Sequence, residues 1–191
     1  MSEWRSIHLT QARQVAALMG VTHGLPAPEM SVRARYEALK AADPVQALTF
    51  LAHALPRFEA ILWAASMLAQ AHGPAPSREQ HATRAAIRHW LDQQDDTARR
   101  AAYDSAQPLA RDLPERSLAG AIFYGGGSIA PLNASPVLPV PGLANRLAAL
   151  AVIEAAYRSG DAPAFIADAL DQAEVVADHG AAGQSTGRNA A

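Results

Sequence analysis

The chain contains no cysteine. Disulfides, thiolate metal sites, iron–sulfur clusters and thiol nucleophiles are thereby excluded. Charge is sparse, at 18% of residues, and nearly balanced: sixteen Lys and Arg against eighteen Asp and Glu give a net charge of −2. No broad basic face is indicated, so no nucleic-acid partner is expected. Long apolar runs are also missing. The two richest, 60–69 and 147–153, are bounded by Glu59 and Glu154. Both fall well short of the roughly 20 residues that span a bilayer. No signal-peptide core follows Met1, because Gln11, Arg13 and Gln14 interrupt the first apolar stretch. A cytoplasmic protein with no membrane span is the expectation.

What is present points to a packed helical fold. Half of the 191 residues are hydrophobic, enough to bury a core, and the length favours one domain. Ala dominates, with many Leu, Arg and Gln, all strong helix formers. No period-2 stretch is bounded by hairpin turns. The fold class is therefore read as all-α: an irregular bundle of about eight helices, without a fixed-period repeat. A single helical domain is expected over 1–179, and a disordered tail of Gly, Ala and polar residues over 180–191.

Caps and breakers set the boundaries. Thr10 is positioned to cap a first helix ending near Met19, with Gly20 as its stop. Ser31 caps 32–42, and Asp43-Pro44 opens the next helix with proline in its first turn. Pro56 ends that helix and starts another, to about His72, whose Phe58, Ile61, Leu62, Trp63, Met67 and Leu68 cover more than one stripe. Such a helix belongs at the centre of the core. Ser77 and Gln80 form a capping box, and Asp95 or Asp96 restarts the pattern. Pro114 opens a helix that stops at Gly125–Gly127; the last two span 143–158 and 162–178. Trp63, Trp90, Phe123 and Tyr157 read as core anchors, and Trp4 as either a tether or an exposed contact.

Three stretches form a recognisable pattern: Asp43 to Trp63, with Leu55-Pro56-Arg57 ahead of the tryptophan; the segment from Trp90 to Ala102; and Ala121 to Pro131 followed by Pro139-Val140-Pro141. Their order and spacing over most of 40–160 resemble a bacterial all-helical family of unknown function. It is marked by a Leu-Pro-Arg segment before a Trp and a Gly-Gly-Ser-x-Ala-Pro element before a proline-rich connection. The resemblance implies an association with type VI secretion or related envelope machinery and transfers no activity. The chain departs from the pattern at Phe58, where the family tends to a polar residue, and at Tyr124, in a region often marked by Trp.

Reactive constellations are hard to find. Gly125-Gly126-Gly127-Ser128 follows a helix, whose end carries partial negative charge, whereas a phosphate loop feeds a helix N-terminus. It also fails as a nucleophile elbow, because Ala130 stands where glycine is needed and no strand precedes it. A helix C-cap is the simpler reading. The seven histidines lack ligand spacing, His81 and His89 being too far apart for one ion. Asp92, Asp95, Asp96 and Asp104 gather at a helix junction, where Arg99 and Arg100 can pair with Asp95 and Asp96 as a solvated ion-pair face. No catalytic residue, cofactor site or metal site is assigned.

The segment 128–141 has four prolines and no charge, which suits an extended, polyproline-II-like connection. Its candidate protein-contact residues are Ser128, Ile129, Pro131, Leu132, Pro136, Val137, Leu138, Pro139, Val140 and Pro141, and Pro136 to Pro139 has PxxP spacing. The favoured reading is that Val137, Leu138 and Val140 pack into the protein's own helices, since an apolar loop left in water would be an exposed patch. The function expected is a non-enzymatic helical adaptor whose partner is another protein, accessory to a bacterial secretion system. The alternative is a small-molecule binder or enzyme, with Glu59, Arg146, Glu154 and Tyr157 converging inside the bundle.

Overall fold

The computed structural model describes residues 4–72 and 74–180. Among them nine helices form and no strand: α1 (Ala12–Leu18), α2 (Val32–Ala42), α3 (Pro44–Ala54), α4 (Arg57–Gln70), α5 (Arg78–Gln93), α6 (Asp96–Ser105), α7 (Pro114–Tyr124), α8 (Leu143–Ala156) and α9 (Ala162–His179). The all-α expectation holds. These nine helices stand against the expected eight or so, and the breaks at Asp43-Pro44 and Pro56 fall where the sequence places them. The tail expected to be disordered lies, from residue 181 onward, outside the described residues.

The caps explain most boundaries. Ser31, Asp43, Ser77, Asp95 and Asp161 each accept a backbone N–H from their helix's first turn, an interaction typically contributing about 1 kcal/mol. The expectation for Thr10 is corrected. The cap position belongs to Gln11, and the Gln14 side-chain oxygen accepts from the N–H groups of both Thr10 and Gln11 at 3.0 Å. A glutamine reaching back over the first turn displaced the hydroxyl.

Helices α3 and α4 lie at the centre. In α3 an unbroken run from Ala47 to Ala54, Thr49 excepted, is buried. Trp63 of α4 is fully buried and donates its indole N–H to the Ala169 carbonyl at 3.0 Å. Burying such aromatic and aliphatic side chains contributes roughly 1.5–3 kcal/mol each. The most extensive helix pair is α7 with α8. Both helices bury many small residues, Ala119, Gly120 and Ala121 in α7 and Ala144, Ala148, Ala151 and Ala155 in α8. A Cβ at Gly120 would already stand 3.2 Å from Leu147.

Three polar ties cross this core. Asn145 of α8 donates to the carbonyls of Ala52 and Leu55 at 2.8 and 3.0 Å, satisfying the end of α3. Tyr36 and Lys40 of α2 both donate to Glu174 of α9, at 2.6 and 2.5 Å. Burial and that carboxylate keep the Tyr36 hydroxyl protonated, well above the usual range. For Lys40, burial acts downward but the Glu174 and Asp171 carboxylates outweigh it, and its pKa is raised. Gln80 and Arg84 of α5 grip the fully buried Glu115 of α7 at 3.1 and 2.8 Å. Trp4 resolves as a tether: it is buried, edge-on to Tyr36 at 5.2 Å, with Ser6 N–H bonded to the Ala177 carbonyl. Tyr157 is no core anchor; it is 68% exposed, past the end of α8.

His53 has a different environment. It is buried, its Nδ1 lies 2.7 Å from the Thr49 carbonyl, and its Nε2 has no hydrogen-bond partner. Burial lowers its pKa from 6.5, the Thr49 carbonyl opposes this, and Arg146 adds to the lowering. The unfolded chain therefore binds the proton more readily, so stability falls as pH drops below the ordinary histidine value. The melting temperature should decline between pH 7 and pH 5, and His53→Gln should flatten that decline. Parallel melting curves for the two proteins would refute the assignment.

Candidate functional site

The element that departs most from a compact bundle is the connection 125–142, which joins the closely packed α7 and α8. Packed helices need only about 2–8 residues between them, and longer connections commonly carry function. This one is held in place from α6. Asp95 caps that helix, and Asp96 in its first turn aligns two arginines. Arg99 donates from Nε and Nη2 to Asp96 Oδ1, from Nη1 to the Phe123 carbonyl, and from Nη2 to the Ser128 carbonyl at 2.8 Å. Arg100 donates to Asp96 Oδ2 and to the same Ser128 oxygen, each at 2.8 Å. Hydrogen bonds from Arg100 and then Arg99 hold the Asp96 carboxyl below its usual range.

The expected pairing of Arg99 and Arg100 with Asp96 forms, but not as a fully solvated face. Arg99 is buried, and Asp95 serves as a cap rather than an arginine partner. The cause is the end of α7, whose last carbonyls lack intrahelical donors and carry the negative end of the dipole. A guanidinium supplies five donors in a fixed fork, and here it reaches over the Phe123 ring at 4.8 Å, with Tyr103 stacked against that ring at 4.2 Å. Gly127 makes the approach possible. Its φ is +68°, and a Cβ there would meet Arg99 Nη2 at 3.2 Å.

Beyond the clamp the chain closes a loop on itself. Ser128 Oγ accepts the N–H groups of Ala130 and Val137 at 3.1 and 3.0 Å, and Ile129 N–H donates to the Val137 carbonyl at 2.8 Å. A turn at the tip bonds Ala134 N–H to the Pro131 carbonyl. The segment is thus an Ω-type loop over 129–137 followed by an irregular return, rather than one extended connection. Its far end is fixed at Gly142, which has φ +79° and lies so close to the Leu18 carbonyl that a Cβ would overlap it.

The favoured reading of 137–140 as internally packed is overturned. Leu132 is 83% exposed, Leu138 76% and Val140 71%, and Pro131, Pro136, Val137 and Pro141 are exposed as well. Ser128, Ile129 and Pro139 are half-buried, and Ala130 supplies the buried contact. The loop's polar atoms satisfy one another and the clamp, which leaves its apolar side chains facing out.

The alternative cluster does not assemble. Arg146 donates to the Met19 carbonyl at the end of α1, Tyr157 faces solvent, and Glu59 sits in the first turn of α4. Glu154 lies beside Ser117 on α7. Burial raises its pKa, Ser117 and Arg158 act against that, and Asp112 and Glu115 reinforce it. Among the described residues no group of three or more His, Asp or Glu could hold a metal.

A second surface feature was not anticipated. Helices α4 and α5 both rest on α7 and meet at a Phe58–Trp90 ring contact of 6.2 Å. Between them runs an open groove of about 1080 Å³, floored by Leu62, Leu68, Ile87, Leu91 and Leu118, with Arg84 and Arg88 along the α5 wall and Val175 of α9 at the edge. The periodicity of α5 marks Ile87 and Leu91 as apolar but cannot say that Ile87 is buried while Leu91 is only half-covered.

Two substitutions probe these arrangements. Arg99→Met keeps the stem over Phe123 but removes the donors; it should cost about 2–3 kcal/mol in urea melts and speed amide exchange at Ile129 and Val137, and unchanged exchange there would refute the clamp. For Glu154, the raised pKa means the folded state holds the proton better than the unfolded one. Its contribution is therefore absent at low pH and destabilising once pH climbs above the ordinary carboxylate value. Glu154→Gln should raise the melting temperature at pH 7, with the gain shrinking toward pH 4.

Comparison with known proteins adds a family and no activity. No curated protein matches the chain, and no solved structure does. Residues 36–177 match a family model described as a family of unknown function, DUF6931. The match runs from Tyr36 at the Glu174 tie to Ala177 in the last turn of α9, taking in the clamp, the loop and the groove, and the chain belongs to the DUF6931 family.

Proposed function

We propose that the chain is a non-enzymatic helical adaptor that offers the 128–141 loop to a partner protein. The observation that carries this reading is the exposure of Leu132, Leu138 and Val140 on a loop fixed at both ends. Apolar side chains in water are unfavourable alone, and a loop already ordered loses little entropy on docking. Four prolines add stiffness and leave the backbone short of donors, the form in which proline-rich segments meet aromatic-lined grooves. The separation of Arg146, Glu154 and Tyr157 weighs against a catalytic centre in the bundle. The resemblance to secretion-associated bacterial proteins suggests the setting: an accessory of a type VI or related secretion assembly, acting from the cytoplasm.

The test compares immobilised wild-type chain with a Leu132→Asp, Leu138→Asp, Val140→Asp variant in extract of the native host. These positions are exposed, so the fold and melting temperature should be unchanged. The wild type should retain a stoichiometric protein that the variant binds at least tenfold more weakly, as expected when central apolar contacts are removed. Equal retention by both, or no stoichiometric protein on either, would count against the adaptor reading.

A further inference from the structure

The chain carries an apolar loop without a cover and an apolar groove without an occupant. None of the residues lining the groove belongs to 125–142, so the loop does not fill the groove of its own molecule. We infer that the occupant is a second copy: the 128–141 loop of one molecule seats in the α4–α5 groove of the next. This rests on the adaptor reading above and names its partner.

The two surfaces match in chemistry. The loop has no charged residue, and Pro131, Pro136, Pro139 and Pro141 have no N–H, so its outer backbone chiefly accepts hydrogen bonds. The groove offers the converse. Its floor is aliphatic, with Leu68, Ile87 and Leu118 buried beneath the more open Leu62, Leu91 and Val175, Phe58 lines one end, and the rim carries the guanidinium donors of Arg84 and Arg88, one turn apart on α5, together with Gln70, Asp92 and Gln172. Arg84 has Nε and Nη2 on Glu115, which leaves Nη1 for a carbonyl, and Arg88 is exposed. An apolar floor with a polar rim is the usual anatomy of a protein interface. A net charge of −2 sets up little repulsion between copies. Loop and groove are different patches, so the contact is heterologous: it propagates head to tail and does not stop at two copies unless the rotation closes a ring.

The experiment uses the purified full chain in sedimentation equilibrium across a wide concentration range. A loop variant, Leu132→Asp with Leu138→Asp, and a groove variant, Ala69→Arg with Val175→Arg, alter exposed positions, and circular dichroism checks that both fold. Wild-type mass should rise with concentration, and each variant alone should associate at least tenfold more weakly. An equimolar mixture should form a one-to-one dimer and nothing larger, because the intact groove of one accepts the intact loop of the other. A strictly monomeric wild type, self-association that survives either variant, or a mixture that stays monomeric overturns the inference. If the wild type is monomeric yet retains a different host protein through Leu132, Leu138 and Val140, the second-copy inference fails while the adaptor reading stands.

Discussion

One buried guanidinium organises the most unusual part of this protein. Helix α7 ends beside the start of a long connection; Gly125 N–H serves the Ile122 carbonyl, and the carbonyls of Phe123 and Ser128 draw their donors from α6. Arg99 provides them, with Asp96 balancing its charge and the Phe123 ring lying under its flat face. Because the same side chain bonds Ser128, satisfying the helix end and placing the loop are a single event. The Ser128 hydroxyl then completes the closure with two backbone N–H groups. A local electrostatic requirement thus determines where an apolar surface is displayed.

The rest of the molecule supports that element through close approach. Helices α7 and α8 both bury many small residues and form the most extensive helix pair, so the ends of the loop are fixed in relation to each other. The buried Glu115 locks α5 onto α7, and α6, which carries the arginines, packs on both. Buried ion pairs of this kind add little net stability, since desolvation offsets much of the attraction. Their effect here is to define which helix lies against which.

The fold was readable because its signals are local. Ser31, Asp43, Ser77, Asp95 and Asp161 cap helices whose starts the sequence places within a residue or two, and Trp63 stands out by the apolar breadth of its helix. Two of the misses depend on partners distant in the chain. Arg99 and Asp96 look like an ordinary surface pair at i, i+3 until the end of α7 arrives beside them. Glu115 resembles any acid in a first helical turn, and only Arg84 and Gln80 show it to be buried. Leu138 and Val140 have the composition of core residues, and hydropathy carries no information that the loop spends its polar groups on itself. Tyr157 lies on the periodic face of α8 but past its last turn.

The contact between Gly142 and the Leu18 carbonyl links the start of the chain to the loop's return. Helix α1 acts as a doorstop there, while the other end of the loop is riveted by arginine. Withdrawing that stop would leave a flap hinged on one side, still able to cling but no longer aimed. Shortening the protein ahead of Val21 would therefore alter the direction in which Leu132, Leu138 and Val140 point without touching any of them.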